Sequence, residues 1–81
     1  MAILMNNTRR KKLLKLVEQL QENIYPMLEE LKDEEDEALN NMPESLQGTE
    51  RYEIAENALD ALESALDSLE ESIDYILTAA E

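Results

Sequence analysis

The sequence predicts an all-α fold, an antiparallel helical hairpin that pairs with a second copy into a four-helix bundle. Three observations predict it. The composition is dominated by Ala, Leu and Glu, with one glycine and few aromatics, which favours long helices. An apolar 3-4 repeat runs through the second half. Two helical stretches of similar length flank a short segment that holds Pro43 and Gly48. The chain length allows one domain, residues 1–81.

The second half is predicted as one helix over residues 49–80, with Thr49 as its N-cap. If Leu59 is placed at heptad position a, the a and d positions are apolar over four heptads, a pattern typical of a helix packed on other helices. Tyr52, Ala55 and Ala80 extend the repeat at its ends. Its centre is the predicted self-association seam: Leu59, Leu62, Leu66, Leu69, Ile73 and Ile76.

The two flanks of this seam differ. Positions g and c hold small or weakly apolar residues, so the apolar arc is wide enough to contact more than one neighbouring helix. These residues are Ala58, Ala65, Ser72 and Ala79 at g, and Ile54, Ala61, Ser68 and Tyr75 at c. Positions b and e form a continuous row of carboxylates, the candidate acidic partner surface: Glu53, Glu56, Asp60, Glu63, Asp67, Glu70 and Asp74.

The first half is predicted as a helix over residues 8–41, capped by Asn7 or Thr8, after a loose arm of residues 1–7. Its apolar repeat is interrupted at Glu34, while Leu28, Glu35 and Met42 trace a neighbouring stripe. The predicted seam of this helix is formed by Leu13, Val17, Leu20, Ile24, Met27 and Leu31.

Pro26 conflicts with a straight first helix. It lacks a backbone donor, and its ring clashes with the carbonyl of Glu22 four residues earlier. We expect a kink there, or a split into helices 8–24 and 26–41. We interpret Pro26 as a tolerated distortion, with a functional role as the less favoured alternative.

The connection over residues 42–48 is short, and each helix is about 50 Å long. Matched lengths and a short connection favour an antiparallel hairpin. The large aliphatic side chains of one chain leave an isolated helix pair marginal against the entropy of ordering it, so self-association stabilises it.

The charge is unevenly distributed. Residues 1–15 carry Arg9, Arg10, Lys11, Lys12 and Lys15 and no acid, a charge of +5, and the remainder carries −18, which gives the net −13. Cations at a helix N-terminus oppose its dipole. An antiparallel second helix compensates by bringing Asp74 and Glu81 close. The acidic body repels nucleic acid and membranes and attracts a basic protein surface.

Several classes of chemistry are excluded. The chain has no Cys and no His, which excludes disulfides, thiol chemistry and the usual zinc and haem ligands. No catalytic set, cofactor site or metal site is predicted, and we expect no enzymatic activity. The acidic run 33–37 lacks the spaced ligands and glycine of a calcium loop, and we interpret it as a solvated helix face, with weak divalent-ion binding as the alternative.

No apolar run approaches the ~20 residues of a membrane span. The apolar residues 1–5 precede the basic cluster instead of following it, which is not the order of a secretory signal. A cytoplasmic location is therefore expected.

The segment Asn41-Met42-Pro43-Glu44-Ser45-Leu46-Gln47-Gly48-Thr49-Glu50-Arg51 resembles an uncharacterised family of small acidic proteins of phages and mobile elements in Gram-positive bacteria. That family carries an Asn-Leu-Pro-Glu-Ser-Leu-Gln-x-Ser-Glu-Arg connection and a Met-Asn-x-x-Arg-Arg-Lys start, matched here from Met5 to Lys11. The resemblance covers most of residues 5–77. Pro26 departs from the family pattern. The resemblance implies a phage-linked context inside a bacterial host cell and no particular activity.

We therefore predict a non-enzymatic protein–protein interaction module that forms a homodimer through its apolar seam. The alternative is an acidic nucleic-acid mimic that blocks a basic host protein, either a DNA- or RNA-binding protein or a defence protein. Carboxylates about 5 Å apart along the helix roughly copy a phosphate row that advances 3.4 Å per phosphate. Direct nucleic-acid binding through the five basic residues is disfavoured by the acidic body, and no membrane partner is expected.

Overall fold

The computed structural model describes residues 6–81, and this part of the chain is helical with no strand, as the fold class predicted. The elements are α1 (Asn7–Gln19), a π-helical turn (Leu20–Ile24), α2 (Tyr25–Asn40), a 3₁₀ turn (Glu44–Leu46) and α3 (Glu50–Ala79). We call α1, the π-helical turn and α2 together the first helical segment. Residues 1–5 of the predicted loose arm lie outside the described residues.

The helix ends are set by side-chain caps. The Thr49 hydroxyl accepts a hydrogen bond from the amide of Tyr52 at 3.4 Å, which confirms the predicted N-cap of α3. The cap of α1 was predicted at Asn7 or Thr8, and this was wrong. Asn6 caps the helix, because its Oδ1 accepts from the amide of Arg9 at 2.8 Å. An N-cap side chain accepts from an amide two or three residues further along the chain, so this bond identifies Asn6 as the N-cap. The helix α1 therefore begins at Asn7, one residue earlier than predicted.

The largest departure from the predicted helix is the π-helical turn before Pro26. The amide of Tyr25 donates to the carbonyl of Leu20, five residues earlier. Pro26 lacks an amide hydrogen and its ring crowds the preceding turn. A wider turn relieves this crowding by including one extra residue. Every residue after the turn is consequently rotated relative to an uninterrupted α-helix.

Three contacts fix the relative direction of the first helical segment and α3. Arg10 Nη2 donates to the carbonyl of Glu81 at 3.4 Å, Tyr25 Oη donates to Glu70 Oε1 at 2.7 Å, and Lys32 Nζ lies 3.9 Å from Glu63 Oε1. Residue numbers fall along α3 as they rise along its neighbour, so the two run antiparallel. Gly48 makes the return possible, because its φ of +82° is strained for other residues.

The core of one chain is thin. Only five of the described residues are buried apolar residues: Val17, Leu39, Leu66, Ile73 and Ala80. The Cα positions span 63 × 23 × 11 Å, and the shortest dimension is that of one helical layer. The accessible surface of 6414 Å² exceeds the roughly 5000 Å² expected for a compact chain of this mass. Both broad faces of the layer are therefore open to solvent.

Candidate protein-interaction surfaces

The seam predicted on α3 faces the first helical segment of the same chain. Leu66 and Ile73 are buried, and Leu59, Leu62, Leu69 and Ile76 are half-buried. Tyr52 and Ala55 are half-buried and Ala80 is buried, while every other residue from Glu50 to Ala79 is exposed. The heptad assignment thus matches the burial at each position. One chain already covers much of this seam, so little of the seam remains exposed to any other protein.

The seam predicted for the first helical segment is right before the π-helical turn and wrong after it. Leu13, Val17 and Leu20 are buried or half-buried. Beyond the turn, Ile24, Met27 and Leu31 are 48%, 61% and 56% exposed. The extra residue of the turn shifts the inward positions by one, and those positions are Tyr25, Leu28, Lys32, Glu35, Leu39 and Met42, all at least half-buried. These positions include Leu28, Glu35 and Met42, which form the second stripe that the sequence shows next to the predicted seam.

The carboxylate row of α3 occupies one broad face, which we call the acid face. All seven predicted residues are exposed: Glu53, Glu56, Asp60, Glu63, Asp67, Glu70 and Asp74. Two of them contact the first helical segment, since Lys32 lies beside Glu63 and Tyr25 bonds to Glu70. A shallow cleft of about 260 Å³ lies next to this bond, lined by Gln21, Tyr25, Glu70, Ile73 and Asp74.

The hydrogen bond to Glu70 raises the pKa of Tyr25 from its usual 10.0 to about 12. Loss of hydration and the negative charges of Glu70, Glu29 and Asp67 act in the same direction. A carboxylate acceptor favours the protonated phenol, and nearby anions disfavour the phenolate. The folded state therefore binds this proton more tightly than the unfolded chain does.

We expect Tyr25 to make stability depend on pH in the alkaline range. Since its folded pKa is raised, the contribution is fully present below pH 10 and is lost as pH rises through about 12. Urea unfolding of wild type and Tyr25→Phe across this range measures it. The wild type should lose more stability than Tyr25→Phe, whereas Tyr75→Phe, which alters an exposed tyrosine, should follow the wild type. Parallel curves for wild type and Tyr25→Phe would contradict the assigned hydrogen bond.

The central part of the opposite broad face, between the charged residues at its two ends, is apolar, and we call it the apolar face. Around a heptad, g and c lie on one side of the seam and e and b on the other. Tyr25 and Lys32 of the first helical segment contact Glu70 and Glu63, which lie at e positions of α3. Each residue that immediately precedes an inward residue in the first helical segment is rotated from it by about 100° around the helix axis. Because the two helices are antiparallel, this rotation points to the g and c side of α3. The apolar face therefore contains Leu16, Ile24, Met27 and Leu31 beside Ile54, Ala58, Ala61, Ala65, Ser68, Ser72, Tyr75 and Ala79, all exposed.

The basic cluster lies at the open end of the layer, beside the C-terminal end of α3. Arg10 is half-buried, and it bridges Asn7 Oδ1 at 3.2 Å and the carbonyl of Glu81. Cations near a helix C-terminus are stabilised by its dipole, so this contact offsets the unfavourable position of Arg10 on α1. Glu81 was expected here. Asp74, also expected here, instead lines the cleft beside Tyr25.

The acidic run 33–37 is partly solvated. Asp33, Glu34 and Glu37 are exposed, and Glu35 and Asp36 are half-buried. Within residues 6–81 no group of three or more potential ligands is arranged to hold a metal ion. None of the helices in this range is long and apolar enough to cross a membrane.

No protein-family model, curated protein or solved structure matches this chain. The resemblance to small acidic phage proteins therefore stays a prediction from the motif at residues 41–51.

Two features of these surfaces were missed from the sequence. The hydrogen bond from Tyr25 to Glu70 and the ion pair between Lys32 and Glu63 both depend on the π-helical turn, which shifts the inward positions by one residue. The signal for that shift was present in Pro26 together with the second stripe through Leu28. The outward position of Ile24, Met27 and Leu31 follows from the same shift.

Proposed function

We propose that this chain is a non-enzymatic helical interaction module that folds as an antiparallel hairpin and self-associates into a four-helix bundle. The observation that supports it is the exposed apolar face on a layer in which only five of residues 6–81 are buried apolar residues. Monomeric proteins rarely leave a large contiguous apolar patch in water. The phage or mobile-element context is part of the proposal and rests on the resemblance of residues 41–51.

Sedimentation equilibrium of the full chain at micromolar concentrations tests self-association. We expect a mass of twice the 9.3 kDa of one chain. Apolar docking is little weakened by salt, because salt screens exposed charges and not apolar contacts. The triple variant Asp60→Lys, Glu63→Lys, Asp67→Lys changes only the acid face and should remain a dimer. A folded monomer of the wild type at these concentrations would remove the proposal.

The second candidate is acidic mimicry of a nucleic acid, favoured by one observation: all seven carboxylates of the acid face are exposed along a rod 63 Å long. Its partner would be a basic host protein. Binding of such a partner should weaken steeply as salt rises, and the same triple variant should abolish it. Retained binding by the triple variant would end this alternative.

A further inference from the structure

We infer that the second copy docks antiparallel on the apolar face, so that the basic end of each copy covers the acidic end of the other. The inference rests on the proposed self-association and specifies its surface and orientation. On α3, positions g and c from Ile54 to Ala79 carry no charged residue. The chain has 20 acids among its 81 residues, so an uncharged strip over residues 54–79 distinguishes this face from the acid face of the same helix.

The charge distribution favours a second copy as the occupant of this face. Each chain has a net charge of −13, so two copies repel unless their carboxylates point apart. Docking through the apolar faces leaves both acid faces outward and in water. A basic foreign partner would be attracted to the acid face instead.

The size of the face is also sufficient for a stable dimer. A standard protein interface buries about 800 Å² on each partner. The broad face spans 63 × 23 Å, so covering little more than half of it reaches that value. The small side chains Ala58, Ala61 and Ala65 allow another helix to approach α3 closely, and the larger Ile24, Met27 and Leu31 supply apolar contact area beside them.

The ends of the layer determine the orientation. At the open end, residues 7–15 carry five cations and no acid. At the end near the connection, residues 33–53 carry eight acids against Arg51, a net charge of −7. A parallel pair would place the two acidic ends side by side. An antiparallel pair places each basic end over an acidic end, which complementary charge favours.

An antiparallel pair has a two-fold axis near the middle of the long dimension. Ile24, Met27 and Leu31 lie near the middle of the first helical segment, so each meets the same group of side chains from the other copy. The π-helical turn therefore places these three large apolar side chains at the contact between two copies instead of in the interior of one chain.

The surface is tested with matched double variants of the full chain. Met27→Gln with Leu31→Gln should raise the dimer dissociation constant by about tenfold or more, because two apolar side chains lose their burial. Leu14→Gln with Leu77→Gln is the control, since both leucines are exposed but lie on the acid-face side. It should leave the constant unchanged. All four side chains are exposed in one chain, so both variants should keep the helical content of the wild type.

The outcomes separate this inference from the proposed function. If the wild type is a dimer and the Met27/Leu31 variant dissociates no more readily than the control, the interface lies elsewhere and this inference fails. If the wild type is itself a monomer, the proposed self-association fails first. Preferential weakening of the Met27/Leu31 variant supports both.

Orientation is tested by a spin label, which is simple to place because the chain has no cysteine. Asn40→Cys puts the label at the end of α2 near the acidic end, at an exposed position that follows the inward Leu39 and therefore lies on the acid-face side, outside the proposed contact. In an antiparallel dimer the two labels are separated by about 30–40 Å, since each lies roughly eleven or more residues from the axis at 1.5 Å per residue. In a parallel dimer they lie at the same level along the long dimension and are separated by about the thickness of two helical layers, roughly 20 Å. The short distance would overturn the antiparallel arrangement.

Discussion

Leu66→Ala is expected to cost about 2–5 kcal/mol of unfolding free energy, as truncation of a buried leucine usually does. Leu66 is 7% exposed, and it is one of two large side chains of α3 that are buried in a single chain. A domain of this length has a total stability of about 4–12 kcal/mol. The substitution therefore removes a large fraction of the stability and should leave the chain partly unfolded at moderate urea concentrations.

Urea unfolding followed by far-ultraviolet circular dichroism measures this loss. Chain concentration is held fixed, because the proposed self-association would make the apparent stability depend on concentration. Leu77→Ala is the matched control, since it makes the same change at an exposed position of the same helix. We expect it to cost less than about 1 kcal/mol. Equal losses of unfolding free energy for the two variants would mean that burial of the α3 seam contributes little to the stability of the fold.

Pro26→Ala is expected to convert the π-helical turn into regular α-helix and to raise the melting temperature. Proline is about 3 kcal/mol less favourable than alanine within a helix, and the substitution restores the missing amide donor. Without the extra residue of the turn, the residues that follow rotate by about 100°. Tyr25 then leaves Glu70, and its pKa should fall from about 12 towards 10.0. Titration of the tyrosine absorbance measures that shift.

Asn23→Ala is the control for Pro26→Ala, because it improves helix propensity within the same turn and leaves proline in place. We expect Asn23→Ala to retain the high pKa of Tyr25. If Pro26→Ala also retains it, Pro26 is not the cause of the turn. The packing of Leu28 and Leu39 against α3 would then be sufficient to impose it.

The position of the α3 seam changes how self-association must be tested. A charged substitution such as Leu66→Glu does not isolate the proposed contact between copies, because Leu66 is buried within one chain and the substitution would unfold the chain itself. Substitutions on the apolar face avoid this ambiguity. Met27 and Leu31 are exposed in one chain, so a change of stoichiometry caused by substituting them would report on the proposed interface alone.

The helical character of residues 6–81, the N-cap and inward positions of α3, and the separation of the acidic and apolar flanks of α3 are all predictable from the order of the amino acids alone. These features depend on local periodicity, which a heptad pattern records directly. Thr49 and the burial of Leu66 and Ile73 are examples. In the first helical segment the apolar periodicity matches the buried positions only as far as Leu20.

Contacts between the first helical segment and α3 determine which residues face inward beyond Pro26. Two apolar stripes competed there, one through Ile24, Met27 and Leu31 and one through Leu28 and Met42. Periodicity gives the relative angle between residues only while the helix remains regular. The π-helical turn adds one residue, and contact with α3 then selects the register that buries Leu28 and Leu39 and bonds Tyr25 to Glu70. The other stripe is left on the surface because a single neighbouring helix can cover only one of them.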